Sequence, residues 1–162
     1  MPVWQPAYVG LGSNLADPRA QVEGALERLA NLARTRRIVC SPLYRSRPFG
    51  AIAQPDFVNA VAALLTQLSS PELLRELRAI EADFGRPAER QRWGPRIIDL
   101  DLLAYARERR SDAHLTLPHP GIVERNFVLY PLADVAPDLE LPGLGRVTEL
   151  KARVTPEGLT PL

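Results

Sequence analysis

The chain has 162 residues, of which 46% are hydrophobic and 24% charged, a length and composition that suit one globular domain with a hydrophobic core. The net charge of +1 argues against a protein that binds nucleic acid through a strongly basic surface, and no segment has the apolar length of a membrane span. Cys40 is the only cysteine, so no internal disulfide is expected, and the absence of a signal-peptide pattern favours a cytoplasmic location.

Hydrophobic periodicity predicts alternating strands and helices along the chain. The predicted elements are a strand over 7–11, a helix from Asp17 to about 34, a strand over 38–43, a loop over 44–56, a strand over 57–66, a helix from Ser70 to 84, a loop over 86–96, a strand over 97–105, a helix over 127–135 and a Pro/Gly-rich tail after 137. The order predicts one α+β domain over 1–162. We expect a ferredoxin-like βαββαβ core, an antiparallel sheet with helices packed on it, and a C-terminal extension. The two long loops are candidate lids.

The run from Arg92 to Asp101 carries the strongest chemical signal, because it places two arginines and a tryptophan just before two carboxylates. Side chains alternate along a strand, so Asp99 and Asp101 are expected on one face with their Cα atoms roughly 6.6 Å apart. Two like charges at that spacing need a cation, and Mg²⁺ ions with bound phosphates would meet this need. The alternative is a solvated sheet face whose aspartates pair with Arg92 and Arg96.

Several shorter patterns leave alternatives open. The Gly10-Leu11-Gly12 run lacks the third glycine of a dinucleotide fingerprint, and no Walker-type loop occurs, so we expect these glycines to form a turn that lets something approach the backbone closely. His119 lies between two prolines and is either a solvent-facing turn residue or a phosphate donor. Asn59 is either a satisfied buried amide or a group that recognises the amide edge of a ligand.

Four stretches together resemble the 6-hydroxymethyl-7,8-dihydropterin pyrophosphokinase family of folate biosynthesis, over most of the chain. They are Tyr8–Leu15, Gln54–Asn59, Arg92–Asp101, and Leu117–Pro120 followed by Glu124–Phe127. The resemblance implies transfer of pyrophosphate from ATP to the hydroxymethyl group of the reduced pterin, by attack on the β-phosphorus, with release of AMP. It implies ATP and the pterin as partners, two Mg²⁺ ions, and neither nucleic acid nor membrane as a partner. We expect a monomer.

The resemblance also implies roles for individual residues. The catalytic set would be Arg86, Arg96, Asp99 and Asp101, with the two aspartates as metal ligands. The residues implied in ATP binding are Glu81, Arg92, Leu102, Thr116, His119 and Arg125, where Glu81 acts either behind the site or on the nucleotide side. The residues implied in pterin binding are Ser46, Arg47, Phe49, Phe57, Asn59, Trp93 and Phe127. The group that accepts the hydroxyl proton stays open.

The chain departs from the family pattern at positions that bear on loop behaviour and affinity rather than on the aspartates: Arg47, Phe57, Ala88, Gly121 and Val123. Two other functional classes share the predicted topology. An RNA-binding module would need a basic sheet with exposed aromatic residues, which the net charge and the acidic pair argue against. A catalytically silent ligand sensor would not need two carboxylates beside a set of arginines.

Overall fold

The computed structural model describes residues 3–48, 50, 53–85 and 97–162. The helices and strands within these ranges are β1 (Gln5–Ser13), α1 (Pro18–Ala30), β2 (Thr35–Cys40), β3 (Tyr44–Ser46), β4 (Phe57–Thr66), α2 (Ser70–Asp83), β5 (Asp99–Tyr105), β6 (Arg110–Ser111), β7 (Thr116–Leu117), a 3-10 turn (Ile122–Glu124), α3 (Asn126–Val135), β8 (Glu140–Leu141), β9 (Gly145–Arg146), α4 (Val147–Lys151) and β10 (Leu159–Pro161). Within these ranges, we find no helix with both the length and the apolar character needed to cross a membrane.

The main sheet is built around the two long strands β1 and β4. Its strands run in the order β10–β3–β4–β1–β5, and β2 pairs with the other end of β4. All of these pairings are antiparallel. The prediction of an α+β fold with an antiparallel sheet and packed helices is therefore confirmed.

Helices cover both faces of the sheet. One face packs against α1 and α2 in a core that includes Leu29, Leu77, Ile80 and Leu100. The other face packs against α3 and α4 around Leu103, Leu129 and Val147. The predicted apolar side of β5 is confirmed, since Ile98, Leu100 and Leu102 are at most 2% exposed. The opposite side of β5 carries Asp99 and Asp101, which stay partly exposed.

The starts of α1 and α2 are set by side-chain caps. Asp17 caps α1 as predicted, because its Oδ1 accepts a hydrogen bond from Ala20 N at 3.3 Å. The cap of α2 is Ser69 rather than Ser70. Ser69 Oγ accepts from Glu72 N, and Glu72 Oε1 accepts from Ser69 N at 2.9 Å, which together form a capping box. The Ser70-Pro71 pair favours Ser70 as the cap, but this prediction is one residue late, because only Ser69 stands three residues before a glutamate.

The segment over 38–56 differs from its prediction. The strand β2 ends at Cys40, and a register shift between Arg37 and Val39 turns both Ile38 and Val39 outward, with exposed fractions of 55% and 42%. Cys40 is consequently only partly buried, although simple alternation with Arg37 and Val39 favours a buried strand residue at this position. The expected loop contains a strand, β3, because its three residues pair with β4 on one side and with β10 on the other.

The Pro/Gly-rich tail is ordered. Its strands β8 and β9 form a hairpin, and α4 follows with Val147 and Leu150 buried in the second core. The chain then returns to the main sheet as β10, which lies beside β3. The C-terminal residues are therefore part of the sheet.

Candidate active site on the β5 edge

The two aspartates lie beside an open strip of the sheet surface. We call this strip the glycine row, because it runs from β5 across Gly10 and Gly12 of β1 to Asn59 of β4. Asp99 lies opposite Gly12 of β1 and Asp101 opposite Gly10, and Gly12 lies opposite Asn59 of β4 on its other side. The prediction that both carboxylates share one face is confirmed. The prediction of a glycine turn is wrong, since both glycines lie inside β1. A Cβ at Gly12 would stand 2.9 Å from Asn59 Nδ2, so the missing side chain keeps the space between Asn59 and Asp99 open.

Helix α2 holds the strand that carries the aspartates. Glu81 Oε2 accepts from Leu100 N at 2.8 Å, while Arg78 Nη1 donates to Leu100 O at 3.0 Å and to Glu81 Oε1 at 2.7 Å. Leu100 lies between Asp99 and Asp101, and β5 is the edge strand of the described sheet. Arg78 and Glu81 therefore satisfy outward-facing backbone groups of β5 and fix both carboxylates in place.

Glu81 is a buried charged group rather than an exposed one. Its side chain has no exposed surface, and burial raises its pKa, while the N–H of Leu100 and the guanidinium of Arg78 act to lower it. A carboxylate without exposed surface cannot touch a ligand in this conformation. Of the two expectations for Glu81, a position behind the site fits the geometry better than a direct nucleotide contact.

His119 approaches Asp101 from the segment that follows β7. Its Nε2 lies 3.9 Å from Asp101 Oδ1, its backbone N donates to Leu103 O at 2.9 Å, and its Nδ1 accepts from Gly121 N at 3.1 Å. Because Nδ1 is an acceptor, the ring proton resides on Nε2, which faces the aspartate. Burial, followed by the charge of Arg125, lowers the pKa of His119 to about 4, so the imidazole is neutral near pH 7. With its side chain 24% exposed, His119 is not a solvent-facing turn residue.

The charges around Asp101 suit a divalent cation. Burial and the neighbouring charge of Asp99 raise the pKa of Asp101 to about 7, against the opposing influence of Arg125 and Arg78. Over the described residues, no set of three or more His, Cys, Asp or Glu side chains could enclose a metal ion. Two carboxylates alone suit Mg²⁺, which keeps several waters and takes its other ligands from phosphates. The residues present therefore fit this ion.

A cleft of about 250 Å³ lies beside the acidic pair. Its lining includes Asp101, Leu102, Thr116 and His119, four of the residues expected on the metal and ATP side, together with Arg78. Asp101 thus lies at the boundary between the cleft and the glycine row of the sheet.

Three of the residues expected on the pterin side, Ser46, Phe57 and Asn59, lie on β3 and β4 at the other end of the same row. Ser46 Oγ donates to Asn59 Oδ1, and both side chains are buried. Phe57 Cδ1 would lie 3.8 Å from a Cβ at Gly12. Phe127 is the second residue of α3, and the guanidinium of Arg125 lies 5.9 Å from its ring centroid.

Arg47 points away from this row. Its side chain is 63% exposed and pairs with Glu157 of the C-terminal segment at 3.6 Å. The remaining expected site residues lie outside the described residues: Phe49, Arg86, Arg92, Trp93 and Arg96, as does the departure at Ala88.

The sequence analysis gave no role to Arg78 or Asn14, two residues of this region. Arg78 donates to the backbone of Leu100, as described above. Asn14 is 2% exposed, and its Nδ2 donates to Gln54 Oε1 at 2.8 Å and to Pro55 O at 2.9 Å. Asn14 and Gln54 occur in two of the four stretches quoted above, but nothing local to either stretch indicates that they meet. The contact ties the end of β1 to the residues that precede Phe57.

Comparisons with known proteins show which family the chain resembles. A family model described as 7,8-dihydro-6-hydroxymethylpterin-pyrophosphokinase (HPPK) matches residues 8–137. A Pseudomonas aeruginosa protein named 2-amino-4-hydroxy-6-hydroxymethyldihydropteridine pyrophosphokinase is 48% identical over 155 residues, which are 96% of this chain and 95% of that protein. A Methylorubrum extorquens protein of the same name is 46% identical over 153 residues, with 94% and 96% covered.

Solved structures share the fold at low sequence identity. The wild-type Plasmodium falciparum HPPK-DHPS crystal structure with pterin and p-hydroxybenzoate matches with a TM-score of 0.73 at 14% identity. The match covers 94% of this chain and 43% of that one, so the present chain corresponds to less than half of the Plasmodium protein. An acidic pair on a sheet edge beside a cleft suits an enzyme that handles metal ions and phosphates. The family model and the curated relatives make the class specific: the chain belongs to the 7,8-dihydro-6-hydroxymethylpterin-pyrophosphokinase family.

Proposed function

We propose that the β5 edge is where this chain carries out the reaction of its family, with the two substrates meeting at Asp99 and Asp101. As a member of that family, the chain is an ATP-dependent pyrophosphokinase of folate biosynthesis, which transfers pyrophosphate from ATP to the hydroxymethyl group of 6-hydroxymethyl-7,8-dihydropterin. One observation carries the assignment of the site. Asp101 lines the cleft, and Asp99, on the same face of β5, lies opposite Gly12 in the row that ends at Asn59.

The nucleotide is assigned to the cleft. Leu102, Thr116 and His119 line it, and His119 presents a neutral Nε2–H that can donate to a phosphate oxygen. Arg125 adds a positive charge close enough to influence both His119 and Asp101. The chain thus provides donors and a cation where phosphate charge must be stabilised.

The pterin is assigned to the glycine row. Asn59 presents amide groups suited to the polar edge of a pterin, and Ser46 Oγ holds its Oδ1. Phe57 and Phe127 supply aromatic surface for a flat ring. In this arrangement, Asn59 orients the pterin so that its hydroxymethyl group reaches the acidic pair, and positioning of this kind supplies much of the rate of a phosphoryl-type transfer.

Asp99 and Asp101 would hold Mg²⁺, and we propose two ions. Bound ions of this kind neutralise phosphate charge and align the attacking and leaving oxygens. The remaining contribution of the chain is structural: Arg78 and Glu81 keep Leu100, and with it both carboxylates, in register. Arg86, Arg92, Trp93 and Arg96 remain proposed lid and substrate contacts.

Three further expectations remain proposals. The order β5–β1–β4–β2, with helices between β1 and β2 and between β4 and β5, supports a ferredoxin-like core to which the residues after α3 add an extension. A monomeric state and a cytoplasmic location remain predictions.

The direct test is AMP release from Mg-ATP with and without 6-hydroxymethyl-7,8-dihydropterin. We expect pterin-dependent AMP and no ADP, and loss of turnover in Asp99→Ala and Asp101→Ala while far-UV circular dichroism stays unchanged. Asp138→Ala, which removes an exposed aspartate in the turn after α3, is the matched control and should keep its activity. ADP formation would overturn attack on the β-phosphorus, and turnover that survives both aspartate variants would overturn the site.

A further inference from the structure

We propose that the C-terminal segment 155–161 positions the pterin side of the site, with Asn126 and Gly158 as its points of attachment. The proposal rests on the assignment of Asn59 and Phe127 to pterin binding, with Ser46 holding Asn59. It gives a role to a part of the chain that no sequence motif singled out.

Asn126 joins the segment to the start of α3. Its Nδ2 donates to Thr155 O and to Glu157 O, each at 2.9 Å, so one amide group binds two carbonyls of the segment. Asn126 is the first residue of α3 and stands between Arg125 and Phe127. The segment is thereby fixed to the backbone that presents both of these site residues.

The segment is also joined to β3 and the residue that follows it. In the pairing of β10 with β3, Leu159 lies opposite Ser46, and Arg47 N donates to Gly158 O at 3.1 Å. The Arg47 side chain pairs with Glu157. Ser46 in turn holds Asn59 Oδ1. Movement of the segment would therefore reach Asn59 through β3.

The segment owes its position to these bonds rather than to burial. None of residues 152–162 is buried, and a groove of about 360 Å³ separates part of the segment from Pro48 and Glu124. A stretch without a buried side chain contributes little hydrophobic stabilisation. Its position depends on hydrogen bonds: those to Asn126 and Arg47 at its start, and the pairing of β10 with β3 at its end. Substitutions at Asn126 or Gly158 are therefore expected to loosen the start of the segment without unfolding the core.

Gly158 is the most sensitive point of the attachment. Its φ is +75°, a conformation that side chains other than glycine rarely adopt, and a Cβ there would stand 2.6 Å from Arg47 Nε. Gly143 provides a matched control, because its φ is +77° and its Cβ would stand 2.7 Å from Arg109 Nη2. Gly143 lies in the turn between β8 and β9, which is not part of the proposed attachment.

The test compares Gly158→Ala and Asn126→Ala with Gly143→Ala. We expect the two glycine variants to lower the Tm by similar amounts, because the backbone strain and the clash are alike. Only Gly158→Ala and Asn126→Ala should weaken the binding of 6-hydroxymethyl-7,8-dihydropterin. We expect a loss of affinity of about tenfold, because the pterin-binding groups would be slightly misplaced. Affinity for Mg-ATP should stay unchanged in Gly158→Ala and Gly143→Ala. Hydrogen exchange at Arg47 N should accelerate in Asn126→Ala, a change that does not depend on any ligand.

Asn59→Ala, measured in parallel, separates the two levels of the proposal. If Asn59→Ala weakens pterin binding but Gly158→Ala and Asn126→Ala do not, the segment has no positioning role. If Asn59→Ala leaves pterin affinity unchanged, the pterin site itself is misassigned and the role of the segment falls with it. An equal loss of pterin and Mg-ATP affinity in Gly158→Ala would mean that the segment only stabilises the fold as a whole, and this result would overturn the proposal.

Discussion

The open row between Asn59 and Asp99 can be closed by one methyl group. In Gly12→Ala, the added Cβ would stand 2.9 Å from Asn59 Nδ2, which is closer than van der Waals contact allows. Asn59 is 6% exposed and bonded to Ser46, so its amide cannot swing into solvent. The substitution must therefore displace the amide and weaken a buried hydrogen bond.

The energy of this displacement follows from two opposing contributions. Alanine in place of glycine within a strand stabilises by about 0.5–1 kcal/mol, while a buried polar group that loses its partner costs about 1–3 kcal/mol. Gly10→Ala carries the first contribution without the second, because the three atoms nearest to its Cβ would be apolar side-chain atoms of Leu103, at 3.4 to 3.6 Å. We expect Gly12→Ala to be less stable than Gly10→Ala by about 1–3 kcal/mol, and its pterin affinity to be weaker by roughly five- to thirtyfold.

Urea denaturation, and pterin titration in the presence of Mg²⁺ and α,β-methylene-ATP, whose bridge the transfer cannot break, measure both quantities. The Gly10→Ala variant controls for changes in β1 itself, since Gly10 and Gly12 lie on the same strand and face. Equal stability and equal pterin affinity in the two variants would refute the idea that Gly12 keeps the row open for Asn59.

Three other expectations concern charge and loop anchoring. Because the pKa of Asp101 is raised from its ordinary value of 3.8 to about 7, the folded metal-free protein holds a proton that the unfolded chain releases near pH 4. The stability of the metal-free protein should therefore fall as the pH rises towards 7, by at most about 1.4 kcal/mol per pH unit. Urea denaturation at pH 5 to 8 measures this fall, and a constant stability over that range would refute the reasoning. Asp101→Asn should flatten this profile and unfold at higher urea than the wild type at pH 8 without metal; an unchanged profile would assign the effect elsewhere. Asn14→Asp replaces a donor by a carboxylate that faces Gln54 Oε1 and Pro55 O. The substitution should lower the free energy of unfolding by about 2–3 kcal/mol and raise the KM for pterin. Wild-type stability in Asn14→Asp would contradict the contact.

Much of the fold follows from local periodicity, because the long elements each bury an apolar face of their own. The strand over 57–66 matches β4, and the stripe of α2 packs as predicted. The short strand β3 could not be predicted in this way. Its three residues carry too little pattern, and one partner, β10, lies more than a hundred residues further along the chain. The register shift at Ile38 likewise depends on how β2 meets β4, which alternation alone does not encode.

The site likewise contains residues whose position follows from local sequence and residues whose role depends on tertiary contacts. Alternation along one strand is enough to place Asp99 and Asp101 on one face. The roles of Arg78 and Glu81 need tertiary information, because both act on the backbone of Leu100. Their spacing on α2 is compatible with an ordinary helical ion pair, so nothing in it indicates that the pair also binds a strand edge.

The position of β5 at the sheet edge gives the proposed reaction its geometry. On the outer side, the backbone of β5 meets Arg78, Glu81 and the backbone N of His119, and the cleft opens beside Asp101. On the inner side, the glycines of β1 leave the face open as far as Asn59. A nucleotide in the cleft and a pterin on the glycine row would therefore approach the same two carboxylates from opposite sides, as an in-line transfer requires. The relative placement of the substrates would then depend on the register of the paired strands β5, β1 and β4. Sites built on paired strands are held more precisely than sites built on loops.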